Sequence, residues 1–298
     1  MIYRRGQKVL VQGITGKQGS FWAARMMEQG TAVVAGVNPK RAGDNHLGVP
    51  IYKSAVEATK HAPCDVSVIF IPPAMAREAI IDAVDAGIGT IIVLTEHIPG
   101  HDVLEIFARA RGSNSRIVGP NTAGIVTPGE GFVGIMPGHN PNIFIPGRVG
   151  VISRSGSLGT LMCLNLTRAG IGQSAFVGIG GDPIIGTTSR DALEALDRDD
   201  RTRAVVLVGE IGGAMEEEAA EYARGMKKPV VSFIAGRSSP PDKKMGHAGA
   251  IVTGGRGGYA SKRAALEKAG VRVADTPLEI AGFLASIDGL APSSLVAG

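Results

Sequence analysis

The sequence predicts a doubly wound α/β unit followed by a second α/β unit. Three observations predict it. Short continuous runs of β-branched residues alternate with stretches of helical period. Glycine closes those helical stretches. The alternation breaks once, at a long Pro- and Gly-rich segment, and then resumes.

Taken in order, KVLVQ (8–12), TAVVAGV (31–37), DVSVIFI (65–71), GTIIVLT (89–95) and RIVG (116–119) read as strands. Between them, SFWAARMMEQG (20–30) and PAMAREAIIDAVDAG (73–87) carry an amphipathic pattern and stop at Gly. Strands that are apolar throughout, joined by helices, predict a parallel sheet covered on both faces. Residues 120–148, PNTAGIVTPGEGFVGIMPGHNPNIFIPGR, have no period, and a connection of that length is functional or a crossover between domains. Beyond it RVGVIS (148–153), QSAFVGI (173–179), RAVVLVG (203–209), KPVVSFI (228–234) and VRVA (271–274) resume the strand pattern. The division expected is 1–124 and 125–298, with 125–147 as the connection.

The composition excludes several classes. At 298 residues the chain is long for a single core. It is 44% hydrophobic and 19% charged, as a globular protein is, and its 43 glycines and 17 prolines stay below the level of disorder. Aromatic residues are 4%, too few for a stacking platform, and a net charge of +4 without dense Lys/Arg runs argues against nucleic acid. No stretch of about 18 uncharged apolar residues marks a membrane span or leader. The two cysteines, Cys64 and Cys163, lack CxxC spacing and read as reduced core thiols, so a cytoplasmic protein is expected.

VLVQGITGKQGS (9–20) sets Gly13, Gly16 and Gly19 between the first strand and the first helix. Glycines there let the backbone approach a phosphate, which the free N–H groups of the helix start then bind. The spacing is GxxGxxG rather than the dinucleotide GxGxxG, and a tight turn needing only small residues is the alternative, but its place at the first switch of a doubly wound sheet favours a nucleotide-like ligand. Where a NAD site places an acid, the second strand ends in GVNPKRAGD, with Asn38, Lys40 and Arg41. Cations at that point suit a phosphorylated ribose, as in NADP or coenzyme A; a solvated basic loop is the alternative.

In the second unit the turn Ser153-Arg154-Ser155-Gly156-Ser157 leads into a helix whose first N–H groups can bind an anion or be capped by Ser155 or Ser157. There is no GxSxG elbow. VLVGEIGGAMEEEAAEYARG (206–225) puts Glu210 at a strand end, on the side where α/β sites lie. Glu216, Glu217 and Glu218 read as solvated charges favouring the next helix's dipole. In KKMGHAGAIVTGG (243–255) only small residues flank His247, leaving both faces of its ring accessible. The six histidines are scattered, and His97 and His101 enclose Pro99-Gly100, so no metal site is expected. A phosphohistidine needs a helix N-terminus for the phosphate and a carboxylate for the other ring nitrogen; Ser155-Gly156 and Glu210 could supply both.

GITGKQG, LTEHIPG, GPNTAG, IMPGH, VGVISRSGSLG, VGIGGDPI, GEIGG, EEEAAEY, KPVVSFIAG and KKMGHAGAI, in that order, resemble the α subunit of succinyl-CoA synthetase and the related malate-CoA and citrate-activating ligases. The resemblance implies a Rossmann-like CoA-binding domain followed by a flavodoxin-like ligase domain. It implies that His247 is the transient phosphohistidine, that Glu210 orients it, and that Thr15, Gly16, Lys17, Gln18 and Leu94-Thr95-Glu96 contact CoA. It implies an ATP-grasp β subunit, in an αβ or α2β2 assembly, that brings ATP or GTP with Mg²⁺, and a small dicarboxylic acid as substrate. Three positions depart from the succinate pattern. Arg41 stands where a CoA-contacting lysine is expected, Thr122-Ala123 replace Cys-Pro, and Thr160 replaces a tyrosine of the substrate site. The rival readings are a non-catalytic CoA- or NADP-binding sensor and an NADP-dependent oxidoreductase.

Overall fold

The computed structural model describes residues 1–239, 257–287 and 289–290. Among these residues the strands form two seven-stranded sheets. The first contains β1 (Lys8–Gln12), β2 (Ala32–Val37), β3 (Asn45–His46), β4 (Val49–Tyr52), β5 (Val66–Ile69), β6 (Thr90–Val93) and β7 (Arg116–Val118). Its order is β3-β4-β2-β1-β5-β6-β7, parallel except for the β3–β4 pair. The helices are α1 (Lys17–Glu28), α2 (Ala55–His61), α3 (Pro73–Asp85) and α4 (Gly100–Ala110). The chain leaves β1 toward β2 and later crosses back to β5, so the sheet reverses direction between β1 and β5. The crevice where α/β proteins bind ligands lies at the carboxyl ends of those two strands.

The second sheet contains β8 (Gly124–Thr127), β9 (Gly131–Gly134), β10 (Pro146–Ser153), β11 (Gln173–Gly178), β12 (Ala204–Glu210), β13 (Val230–Ala235) and β14 (Arg272–Ala274). Its helices are α5 (Gly156–Arg168), α6 (Ser189–Asp197), α7 (Met215–Ala223), α8 (Tyr259–Lys268) and α9 (Glu279–Ala285). The order β14-β13-β12-β10-β11-β8-β9 reverses between β10 and β12. Every residue of β12 is buried, as a central strand covered by helices on both faces must be.

Two expectations need correction. The aperiodic segment 120–148 contains a hairpin, β8–β9, whose strands pair antiparallel from Gly124↔Gly134 to Thr127↔Gly131. β8 also pairs antiparallel with β11, so the second sheet is mixed rather than wholly parallel. Each hairpin strand is only four residues long and opens or closes on glycine, too short for a period to show. The hairpin also ties the two sheets together. Trp22 of α1 meets Phe132 of β9 edge to face at 6.3 Å, and Thr31 Oγ1 donates to the Phe132 carbonyl at 2.8 Å. One apolar cluster runs through Tyr3, Val9 and Met26 of the first unit and Phe132, Val149 and Phe176 of the second. Each fully buried side chain of that kind contributes about 1.5–3 kcal/mol, which favours one packed body over two beads on a linker.

Candidate active site

The first crevice is built around the β1–α1 turn. Gly13 has φ +83°, and a Cβ there would meet the Phe70 carbonyl at 2.6 Å, so glycine is needed for both conformation and space. A Cβ at Gly19 would lie 2.2 Å from the Gly13 carbonyl, so the helix start folds back tightly on the turn. Gly16 caps α1 without a side-chain hydrogen bond, and its first turn holds no acid. Gly16, Lys17 and Gln18 are exposed. An uncapped helix start with exposed N–H groups and a lysine suits a phosphate. Thr15 Oγ1 accepts from Asn38 Nδ2 at 2.6 Å, which binds the turn to the exit of β2. There Lys40 and Arg41 lie exposed on a 3₁₀ turn, and Arg41 Nε pairs with Asp44 at 2.8 Å. Leu94, Thr95 and Glu96 follow β6, and Thr95 Oγ1 donates to the Ile71 carbonyl beyond β5 at 2.7 Å. All of these candidates leave the same edge of the sheet, from the neighbouring strands β2, β1, β5 and β6.

The same edge reaches the second sheet. The Asn121 N–H donates to the Thr95 carbonyl at 3.0 Å, and Asn121 Nδ2 donates to Asp182 of the GGDP turn at 2.9 Å. Thr122 is buried; its hydroxyl donates to the Gly178 carbonyl and accepts from the Gly124 N–H at 3.0 Å. Ala123 is brought against the α5 start, since a Cβ at Gly156 would lie 3.0 Å from the Ala123 Cβ. Thr160, one turn on, donates to the Gly156 carbonyl at 2.9 Å and lies 3.8 Å from Met136 Sδ. Met136 in turn donates its N–H to the Ala123 carbonyl at 3.1 Å. Ala123, Met136, Gly156 and Thr160 thus form one small wall.

The second crevice holds the α5 start and the end of β12. Ser155 caps α5 by accepting from the Leu158 N–H at 3.3 Å, and its hydroxyl lies 3.2 Å from that of Ser157. The cap engages the third N–H of the helix. By helix geometry the N–H groups of Gly156 and Ser157 have no partner within it, so the end remains able to receive an anion. Glu210 ends β12, 7% exposed. Its carboxylate lies 3.4 Å from Arg154 Nε, and Arg154 Nη1 donates to the Gly212 carbonyl at 3.2 Å. Ser155–Gly156 and Glu210 therefore leave neighbouring strands on either side of the switch. His247 lies outside the described residues, as does the rest of 240–256.

One reading of the acidic helix start is overturned. Glu216 is not solvated: it is fully buried and paired with Lys262 of α8, also fully buried. Glu217 accepts from the Gly257 N–H at 3.3 Å and from Ser261 Oγ at 3.1 Å. The dipole of α7 favours acids in its first turn, but the packing of α8 decides which of them face inward. Sequence reasoning missed Lys262 and gave Arg154 no role. A lysine in a helix of mixed charge carries no local mark of burial, whereas Arg154 sits inside the singled-out turn.

Two family models match the chain: a CoA binding domain over residues 5–97 and a CoA-ligase domain over 152–272. The succinate–CoA ligase [ADP-forming] subunit alpha 2 of Archaeoglobus fulgidus is 51% identical over 280 residues, covering 94% of this chain and 96% of that protein. The corresponding α subunit of Aquifex aeolicus is 47% identical, covering 96% and 94%. Among solved structures, the ATP citrate lyase of Methanothrix soehngenii in complex with citrate and coenzyme A aligns with a TM-score of 0.85 at 24% identity. This chain is covered to 95% in that alignment and spans about half, 51%, of the lyase. The dinucleotide-forming acetyl-coenzyme A synthetase 1 of Ca. Korarchaeum cryptofilum, at TM-score 0.72 and 23% identity, shares the fold over 91% of this chain and 58% of its own. With half its residues shared with full-length relatives and both domain models in the expected order, the chain belongs to the succinate–CoA ligase α-subunit family.

Proposed function

We propose that this chain is the CoA-binding, phosphohistidine-bearing subunit of a nucleotide-dependent acid–CoA ligase, working with an ATP-grasp β subunit in the cytoplasm. In this reading residues 1–124 hold CoA and 125–298 hold the phosphoryl chemistry. The observation that carries it is the pair of switch points. One offers an uncapped, glycine-walled helix start with a lysine. The other offers a helix start beside a buried carboxylate, Glu210.

The γ-phosphoryl group of ATP or GTP, which the partner would hold with Mg²⁺, passes to a ring nitrogen of His247 as ADP or GDP leaves, and then from His247 to the substrate carboxylate, giving an acyl phosphate and the free imidazole. The CoA thiol attacks the acyl carbon, a thioester forms, and inorganic phosphate leaves. Gly156 and Ser157 hold the phosphate oxygens through their N–H groups, and Glu210 steadies the imidazolium charge while phosphate arrives or departs. Thr15, Gly16, Lys17 and Gln18 bind a CoA phosphate at the α1 start, Lys40 and Arg41 the phosphate on the ribose, and Leu94, Thr95 and Glu96 line the same edge. Ala123 and Thr160, with Thr122 behind them, shape the place of a succinate-like or hydroxylated dicarboxylate such as malate. The relatives' identity argues against the sensor and oxidoreductase readings.

The test is to assemble the chain with its β subunit and supply Mg²⁺ and γ-labelled ATP or GTP without CoA. The chain takes up acid-labile, base-stable label. His247→Asn abolishes it without unfolding the protein. Label that persists in that variant overturns the reading.

A further inference from the structure

We propose that Lys262 and Glu216 are positioning residues that fix the loop carrying Glu210, and that Gly209 is required so that Glu216 can reach it. This rests on the role proposed for Glu210 above.

Lys262 Nζ has three donors and three acceptors. It donates to the carbonyls of Glu210 and Gly212, each at 2.8 Å, and to the Glu216 carboxylate. The other Glu216 oxygen accepts from the Glu210 N–H at 3.2 Å. The backbone of Glu210 is thus held at both its N–H and its carbonyl by one buried ion pair, and the loop is held again at Gly212. Both side chains are 0% exposed. The Gly212 N–H also donates to the Gly257 carbonyl at 2.8 Å, just ahead of the helix that carries Lys262.

Gly209 is a second, independent observation. A Cβ at 209 would lie 2.7 Å from Glu216 Cγ and 2.8 Å from its Oε1. No larger residue fits there while the carboxylate remains on the Glu210 N–H. The glycine, the acid and the lysine come from β12, α7 and α8, and they converge on one backbone segment.

Stability alone does not account for this arrangement. A buried ion pair rarely outperforms two well-packed apolar side chains of the same volume, because both charges leave water. The α7–α8 contact could be made by two aliphatic residues. A pair that grips the backbone on either side of a buried carboxylate does something those residues cannot: it holds that carboxylate in register with the Ser155–Gly156 helix start.

The experiment uses the assembled complex and reads two quantities: the initial rate of phosphoenzyme labelling without CoA, and the KM for CoA in turnover. Lys262→Met combined with Glu216→Leu replaces the pair by apolar volume. Gly209→Ala keeps both charged side chains and displaces only the Glu216 carboxylate. Each lowers the labelling rate by about tenfold or more, the scale for a misplaced electrostatic group, while the KM for CoA stays within about twofold. In a Glu210→Gln background the same changes cost less than about twofold further, because they act through Glu210. Either variant labelling at the wild-type rate, whatever its melting temperature, overturns the proposal, as does full additivity with Glu210→Gln. If the double variant does not fold, Gly209→Ala decides alone. A wild-type complex that takes no label defeats the phosphohistidine reading itself, and the positioning role falls with it.

Discussion

Arg154 places its Nε 3.4 Å from the Glu210 carboxylate, across the gap between the ends of β10 and β12. The turn that starts α5 and the loop that ends β12 are thereby joined by a buried charge pair. Arg154 also reaches the Gly212 carbonyl, so its guanidinium bridges the strand end and the glycine turn after it. A phosphate arriving at the α5 start would share the neighbourhood of Arg154 with Glu210.

Breaking that relationship lowers turnover. Glu210→Gln keeps a hydrogen-bonding group of the same shape and removes the charge, and kcat falls by about tenfold to a thousandfold. Arg154→Met leaves the buried carboxylate without this guanidinium and costs a comparable factor. Because the groups touch, the double variant loses less than the product of the two single losses. Steady-state kinetics of the four proteins with the β subunit checks this. Full additivity, or unchanged turnover in Glu210→Gln, would make the pair purely structural.

Much of this was legible in the sequence. β1 matches KVLVQ, and β2, β5, β6, β7 and β10 to β14 fall within a residue or two of their apolar runs, because largely buried parallel strands are apolar on both faces. The short pair β3 and β4 carries no such run and was not legible. Glu210 was legible because it ends such a run just ahead of two glycines. Lys262 and Glu216 were not, because their meaning lies in a contact between α7 and α8 that no local spacing encodes. The β8–β9 hairpin escaped for a different reason. Its residues are specified by pairing with β11 and by packing on α1, and the strands are too short to show a period.

Arg41 should discriminate CoA from dephospho-CoA. Its ion pair with Asp44 is about half exposed at both ends, and an exposed pair of that kind exchanges readily for a phosphate. Arg41→Ala weakens CoA by roughly 1–3 kcal/mol and dephospho-CoA much less, since only CoA carries the ribose phosphate. Asp44→Asn frees Arg41 and tightens CoA, by less than about tenfold. Calorimetric titration at low and high salt checks both. Equal losses for the two ligands in Arg41→Ala would place the ribose phosphate elsewhere.

The support of α8 should weaken in acid. Hydrogen bonding by Arg263 holds the Asp275 carboxyl below the usual carboxylate range, and Arg237 adds to this. A carboxyl depressed in the folded state contributes stability above its unfolded pKa and loses it as pH falls through the folded value. Asp275→Asn therefore lowers the melting temperature at pH 7, and the difference from wild type shrinks toward pH 3. The site is exposed and salt-screened, so the difference also shrinks in high salt. Melting curves across that range check the sign; a gap that widens in acid would contradict it.

The acid substrate should not be succinate alone. Thr160 stands where the succinate pattern has a tyrosine, and its hydroxyl turns back to the Gly156 carbonyl at 2.9 Å. At Ala123, Gly156 and Thr160 the wall therefore presents small groups where a ring would stand, Met136 being its one long side chain. Thr122 does not close the gap, because its hydroxyl is held by Gly178 and Gly124 in the buried layer beneath. Space next to a helix start favours an acid with an added polar group, and malate meets that description better than succinate does. Thr160→Tyr fills the space and shifts the ratio of kcat/KM toward succinate by about tenfold, the scale for gain or loss of one well-placed group in a pocket. The comparison uses succinate, malate and longer or sulfonated acids with the native β subunit. A preference for succinate of about a hundredfold in the native complex, roughly 2.7 kcal/mol, would mean that the partner or neighbouring side chains refill the space and that the replacements at 122, 123 and 160 leave the choice of acid unchanged.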